Sequence, residues 1–490
     1  MTRRDFLRRS VTAGAAAAAM PLAACRTVSR STPPNIILII ADDVSWDDLG
    51  CYGNTGVKTP QLDALAAAGL RFTNVFLTAS SCSPSRCSLI TGRYPHNTGA
   101  AELHTPLPPN QAAFPALLRS CGYYTAQAGK WHMGEAPRSA FDRIEDDAEV
   151  NGPGGEAMWL KLLEERPPEK PFFFWLAPYD AHRDWSADDF GPGHDPENAA
   201  VPPYMADRPG TRRDLASYYN EIGRIDFHVG ELMRELKGQG LESNTLVLFM
   251  ADNGRPFPRC KTRVYDSGMQ TPLIAHWPAG VKVKGGLCSG LISAVDIAPT
   301  LLELAGAGPL PGAQGRSFVR LLRDPDQSFR SVVFAEHNWH DFMAWERLVR
   351  TPDHLYVYNA RPELRNGGPL DSKRSPSHAD LLELRRRGDL TKAQSDVFLA
   401  PRPAEELYDC RTDPQQLQDL AADPEQAGVL QRMRELLRRW QEETGDTIPE
   451  RLTPDWYDRI TGEALEVKGV RGEMPGAAAG AARNNSPGPF

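Results

Sequence analysis

The sequence predicts an α/β protein: a central, mostly parallel sheet flanked by helices, followed by a smaller C-terminal α+β part with a short antiparallel sheet. Three observations carry this expectation. Two unbroken apolar runs, "NIILIIADD" and "TLVLFMADNG", stop at the polar pairs Asp42–Asp43 and Asp252–Asn253. Such continuous runs are strands buried on both faces, as a parallel sheet requires. Helical stretches lie between them, and the late runs "SVVFAEH", "ERLVRT", "HLYVYN" and "ELYD" have the lengths of short antiparallel strands.

At 490 residues the chain has the length for two or three domains. Its 41% hydrophobic and 24% charged content is that of a soluble globular protein, and a net charge of −8 argues against a nucleic-acid or anionic-membrane binder. A local basic pocket for an anionic substrate is compatible with that balance. The expected organisation is a signal over 1–25, a linker over 26–34, a larger domain over 35–325, a smaller one over 326–460, and a disordered Gly/Ala/Pro-rich tail over 461–490.

The N-terminus carries Arg3–Arg4 followed by Phe6–Leu7, a twin-arginine export pattern. The apolar stretch Val11 to Ala24 is too short for a spanning helix, and "PLAAC" resembles a lipoprotein cleavage box with Cys25 as the lipidated residue. An exported, periplasmic or cell-surface protein follows, touching the membrane only through a lipid anchor. Of the other seven cysteines, none forms a C-x-x-C pair or a Cys/His cluster at zinc spacing. Their odd number hints that one serves chemistry.

Along the chain, "TPQLDALAAAGL" has Thr59 as cap, Pro60 in the first turn and Gly69 as stop. "DLASYYNEIGRIDFHVGELMREL" keeps Leu215, Tyr219, Ile222, Ile225, Val229, Leu232 and Leu236 on one stripe. Further strands are expected at Tyr123–Gly129 and Phe172–Ala177, and a last helix around Glu425–Glu443.

Ligands of open α/β sheets bind off the carboxyl ends of the strands. Asp42, Asp43, Asp252 and Asn253 there offer only oxygen, the donor set of a hard cation such as Ca²⁺ or Mg²⁺. Either pair alone reads as turn formers; two pairs at equivalent strand ends point toward metal. Other apolar runs lead into Lys130 and His132 and into His182, and Lys261 follows the second acidic pair. Singly these read as surface lysines or hydrogen-bonded structural histidines. Together with an oxygen-ligated cation they describe a pocket for a tetrahedral oxyanion.

The stretch "SSCSPSRCSLITGR" reads as a helix with Ser83 as cap, Pro84 in first position and Gly92 as stop, leaving Cys82 just before it. Five residues along a helix start separate Cα atoms by roughly 8 Å, beyond comfortable reach for a Cys82–Cys87 disulfide. Cys82 therefore reads as a nucleophile in the field of the helix N-terminus, with Arg86 one turn in on the same face.

Cys82-Ser83-Pro84-Ser85-Arg86, with "LITGR" behind it, resembles the C-x-P-x-R maturation signature of the type I sulfatases. "GKWHMG", the His182 segment and Lys261 before "YDSGMQTPL" accompany it. The resemblance implies an alkaline-phosphatase-like α/β domain with a smaller C-terminal domain. It also implies oxidation of Cys82 to formylglycine by a formylglycine-generating maturation enzyme. By the same resemblance, hydrated formylglycine attacks sulfur, and Ca²⁺ on Asp42, Asp43, Asp252 and Asn253 polarises the sulfate. Arg86 and Lys130 steady the diol, His132 takes the proton that lets it collapse, and His182 and Lys261 contact the sulfate and assist the leaving group.

"DAHR", "DNGRPFP", "VPPYMADRPGTRRDLASYYNEIGRID" and "WQEETGD" are similar to the heparan N-sulfatase, or sulfamidase, branch. The implied substrate is N-sulfated glucosamine in a sulfated saccharide. Lys261 departs from the arginine a sulfamidase can carry there, which keeps an O-sulfate ester open. The shared chemistry also allows a phosphatase or phosphonate-ester hydrolase, and a non-catalytic glycan-binding lipoprotein is the alternative outside enzymes. Arg183, His104, His337, His340, Asp341 and Arg347 are the expected sugar-facing residues, with exposed polar loop positions as the other reading.

Overall fold

The structure is a computed structural model that describes residues 33–490. The expected export signal, Cys25 and most of the linker lie outside the described residues.

An eight-stranded sheet organises the larger part. In spatial order it runs β5 (Arg143–Glu145), β4 (Tyr124–Gly129), β6 (Phe172–Ala177), β1 (Asn35–Ala41), β7 (Thr245–Ala251), β8 (Leu273–His276), β2 (Leu70–Phe72) and β9 (Gly286–Cys288). All neighbours pair in parallel except β7 with β8 and β8 with β2. A two-stranded ribbon, β3 (Val75–Phe76) with β10 (Ile292–Ser293), lies apart from it.

The unbroken apolar runs are explained by burial on both faces. On β1, Ile36, Leu38 and Ile40 join one core while Ile37, Ile39 and Ala41 join the other. The second core takes the predicted stripe of the long helix Pro209–Gly238, whose Leu215, Tyr219, Ile222, Ile225, Val229, Leu232 and Leu236 are wholly buried. A residue stripe of this length buries about 1.5–3 kcal/mol per large apolar side chain, which holds the helix to the sheet.

The C-terminal strands form the expected antiparallel sheet: β11 (Val333–Trp339), β12 (Met343–Arg350), β13 (His354–Asn359) and β14 (Glu405–Asp409), in that order. Helix Ala427–Thr444 packs on it through Leu430, Met433, Leu437 and Trp440, with the Trp440 ring stacked on Phe334.

Residues 461–490 do not behave as a disordered tail. Arg93 donates through Nη1 to Asn485 Oδ1 at 2.6 Å and through Nη2 to the Asn484 carbonyl at 2.8 Å, and Asn97 Nδ2 donates to the Ala481 carbonyl at 2.8 Å. The small side chains of this segment let its carbonyls reach buried donors that would otherwise go unpaired. The seven cysteines among the described residues are all free thiols. No described helix is long and apolar enough to cross a membrane.

Candidate active site

The site forms where four parallel strands end together. Ala41 of β1 pairs with Ala251 of β7, so Asp42 and Asp252 emerge side by side. Gly129 of β4 pairs with Ala177 of β6, and the Lys130 amide then donates to the Ala177 carbonyl at 2.7 Å. A Cβ on Gly129 would fall 2.0 Å from that carbonyl oxygen, which explains glycine at the crossing. Asp43 and His132 adopt the left-handed backbone region, at φ 60 and φ 58, as the chain turns off the sheet.

The Cys82–Thr91 helix points its first turn at these strand ends. Its cap residue is Ser81, not Ser83, so Cys82 is the first helical residue and Pro84 the third. Amides of the first turn have no acceptor within the helix, so proline is tolerated at any of these positions. Cys82 Sγ stands 3.6 Å from Asp42 Oδ1 and 3.9 Å from Asp43 Oδ1. Arg86 Nε donates to Asp252 Oδ2 at 2.8 Å, and Lys261 Nζ to Asp43 Oδ2 at 2.7 Å. Lys130 Nζ pairs with Asp42.

Ligand oxygens of Asp42, Asp43 and Asp252 lie with Cys82 Sγ within 4.8 Å of one another. Asn253 Oδ1 is buried beside them without a hydrogen-bond partner. Three carboxylates and an orphaned amide oxygen fit a hard cation.

A cavity of about 730 Å³ opens over this cluster, with Cys82, Lys130, His132, His182 and Lys261 on its walls. The sulfatase family profile matches residues 34–307, and that of the C-terminal region of N-sulphoglucosamine sulphohydrolase matches residues 260–357. The chain belongs to the sulfatase family. It is 31% identical over 480 residues to human N-sulphoglucosamine sulphohydrolase, covering 87% of this chain and 95% of that protein. It is 30% identical over 467 residues to an ulvan-active sulfatase of Formosa agariphila, covering 85% and 76%. Among solved structures, a protein in complex with its substrate D-glucosamine-2-N,6-O-disulfate shares the fold at TM-score 0.65 and 19% identity, over 84% of this chain and 98% of that one. A 2-O GAG sulfatase does so at TM-score 0.61 and 21% identity, over 84% and 92%. This sulfatase matches the sulfamidase branch, and like its family it is a hydrolase of sulfate esters or sulfamates.

The electrostatics of the sulfatase site are set by burial against its cations. Burial raises Asp42, but Lys130, His182, Arg86 and Lys261 outweigh it and hold the carboxyl far below the usual range. Asp252 is pushed up to about 6 by burial, opposed by Arg86. Burial drives the Cys82 thiol well above its ordinary value. His132 is lowered to about 2 by burial, then Lys130 and His104, so its imidazole is neutral at neutral pH.

The remaining predicted residues separate into three groups. His104, His340, Asp341 and Arg183 line the cavity. His104 Nδ1 contacts His132 Nε2 at 2.7 Å, and His340 Nδ1 contacts Ser81 Oγ at 2.8 Å, so they brace the His132 loop and the start of the Cys82–Thr91 helix. Arg183 is held by a two-pronged pair with Asp214, at 2.7 and 2.8 Å, and by stacking on Trp185 and Phe257. Arg347 does not reach the cavity. It is wholly buried against Asp446, with Nε and Nη2 each 2.7 Å from the carboxylate, and it tethers β12 to the end of the C-terminal helix. His337 is buried opposite Glu346 in the β11–β12 register and does not line the cavity.

Sequence reasoning missed Asp371 and Arg374, which line the cavity from the segment after β13. Asp371 Oδ2 lies 3.8 Å from His182 Nε2 and 3.6 Å from Lys261 Nζ. Only the turn-forming "GGPLDSKRSP" marks this segment in the sequence, and nothing in it signals a site.

Proposed function

We propose that this sulfatase removes the N-sulfate group of glucosamine in heparan-type saccharides. The observation that carries the reading is the overlap of the two profiles. The match to the N-sulphoglucosamine sulphohydrolase C-terminal region begins at residue 260, at the foot of the cavity, beside Lys261. The 31% identity to the human enzyme extends along most of both chains.

In this reading residue 82 acts as formylglycine, made from Cys82 by a maturation enzyme, and hydrated to a diol. One diol hydroxyl, giving up its proton to the carboxylates that the residue-82 side chain faces, attacks sulfur while the bond from sulfur to the sugar's bridging atom breaks. Asp42, Asp43, Asp252 and Asn253 would hold a calcium ion, or magnesium in its place, which when bound would supply positive charge for an anionic substrate. Lys130 and Arg86 flank residue 82 and hold the acidic groups in position. The neutral imidazole of His132 accepts the proton of the second hydroxyl, so that the aldehyde re-forms and sulfate departs. His182 Nδ1 donates to the Arg183 carbonyl, which turns Nε2 toward the leaving atom. Burial disfavours the charged form of Lys261, but Asp43 outweighs it, so Lys261 stays an ammonium. It therefore serves as fixed charge, and His182 delivers the proton.

The N-terminal pattern completes the proposal: export through the twin-arginine route and anchoring by lipid on Cys25. Sulfate release from N-sulfated glucosamine, measured beside its 6-O-sulfated counterpart, tests the substrate. Turnover of the N-sulfated sugar alone supports the reading. Turnover of the O-sulfated sugar alone favours an ester substrate and overturns it.

A further inference from the structure

Asp371 stands apart from the strand-end residues. It sits on the helical turn Leu370–Lys373, in the segment that follows β13, and enters the cavity beside His182 and Lys261. The turn is anchored: the Leu370 amide donates to Asp341 Oδ2 at 2.8 Å, and Leu370 is buried. Asp371 Oδ1 accepts from the Ser372 amide. Its Oδ2 accepts no hydrogen bond among the described residues and faces Lys261 Nζ at 3.6 Å and His182 Nε2 at 3.8 Å. Lys261 Nζ thus bridges Asp43 on one side and Asp371 on the other.

A carboxylate oxygen that accepts no hydrogen bond, set between the Lys261 and His182 side chains proposed to serve the leaving group, is chemically selective. The bridging nitrogen of a sulfamate bears a hydrogen and donates; the bridging oxygen of a sulfate ester bears none and only accepts. An ionised carboxylate accepts from the first and repels the lone pairs of the second. Once the S–N bond breaks and the nitrogen takes a proton from His182, the departing amine becomes cationic on gaining one further proton. That cation is attracted to a carboxylate, whereas a departing alcohol stays neutral. His182 and Lys261 serve either leaving group, so neither discriminates.

We infer that Asp371 is the specificity-determining residue of this site, selecting sulfamates over sulfate esters by accepting a hydrogen bond from the bridging N–H. The inference rests on the N-sulfate reading above and names the group that enforces it. Sites that hydrogen-bond a substrate N–H reject analogues lacking it because the buried partner is left unpaired.

The test compares wild type with Asp371→Asn and Asp371→Ala, each confirmed folded by its unfolding midpoint, on glucosamine N-sulfate and glucosamine 6-O-sulfate. In both variants kcat/KM for the N-sulfated sugar is expected to fall about 10- to 100-fold, the scale of a hydrogen bond to a charged group. Activity on the O-sulfated sugar holds or rises. Inhibition by free glucosamine, but not by glucose, weakens by a similar factor, a readout that needs no turnover of the variant. Parallel losses on both sugars, with glucosamine inhibition unchanged, would overturn the inference while leaving the N-sulfate reading intact. Wild-type enzyme that releases sulfate only from the O-sulfated sugar would overturn both.

Discussion

Arg86 Nε meets Asp252 Oδ2 at 2.8 Å, joining the first turn of the Cys82–Thr91 helix to the end of β7. Both side chains are wholly buried. The pair therefore sets the distance between residue 82 and the acidic cluster, and Arg86 opposes the burial that leaves the Asp252 carboxyl raised to about 6. Arg86→Ala leaves that carboxylate unpaired. Removing one partner of a buried pair costs about 3–5 kcal/mol. Chemical denaturation is expected to show a loss of that size, and sulfate release to fall below detection; a variant as stable and as active as wild type would refute the assigned role.

The oxygen cluster makes metal binding measurable without turnover. Calcium titrated into chelator-treated protein should raise the unfolding midpoint, by about 2.7 kcal/mol of stability at a hundredfold excess over Kd. Asp252→Ala should abolish the rise at the same concentration. An equal rise in the variant would remove Asp252 from the ligand set.

Arg347 and Asp446 form a tether, not a sugar contact. Arg347→Ala should cost about 3–5 kcal/mol in stability by stranding the Asp446 carboxylate, while KM for a sulfated sugar stays within twofold of wild type below the melting range. A selective rise in KM at unchanged stability would restore the sugar-binding role.

His337 gives the protein part of its acid sensitivity. Burial lowers its pKa from 6.5 to about 4, with Glu346 opposing. Above pH 6.5 the imidazole is neutral in both folded and unfolded chains and contributes no pH dependence. Between pH 6.5 and 4 the unfolded chain binds a proton that the folded one does not, so stability falls as pH falls. The fully developed loss is about 3 kcal/mol, at 1.36 kcal/mol per pH unit. His337→Gln should lose less stability than wild type between pH 7 and pH 4 in denaturant titrations; identical losses would contradict this.

The parts of the site legible in the sequence are those fixed by local pattern. Unbroken apolar runs announced β1 and β7, and their equivalent ends placed Asp42 and Asp252 together before any register was known. The Cys82 helix was legible to within two residues, because Pro84 fits any position of a first turn and does not mark the first one. Arg347 was misread because its partner Asp446 lies 99 residues away, and an arginine on a short strand looks exposed until that pairing forms. Asp371 was silent for the same reason: its neighbours His182 and Lys261 come from strand ends far upstream, and only the packing of the Leu370–Lys373 turn brings it to them. The tail was misjudged because its order comes from partners distant in sequence: donors on Arg93 and Asn97 for its backbone, and Arg316 and Arg330 against the Phe490 ring.

Residue 82, at the floor of the cavity, is proposed to carry the chemistry as an aldehyde. Peptide mass measures the aldehyde fraction at this position in preparations made with and without the maturation enzyme, and sulfate release is assayed on the same samples. Activity is expected in proportion to the aldehyde fraction, and none in Cys82→Ala. Full activity from protein whose residue 82 is entirely thiol would contradict it.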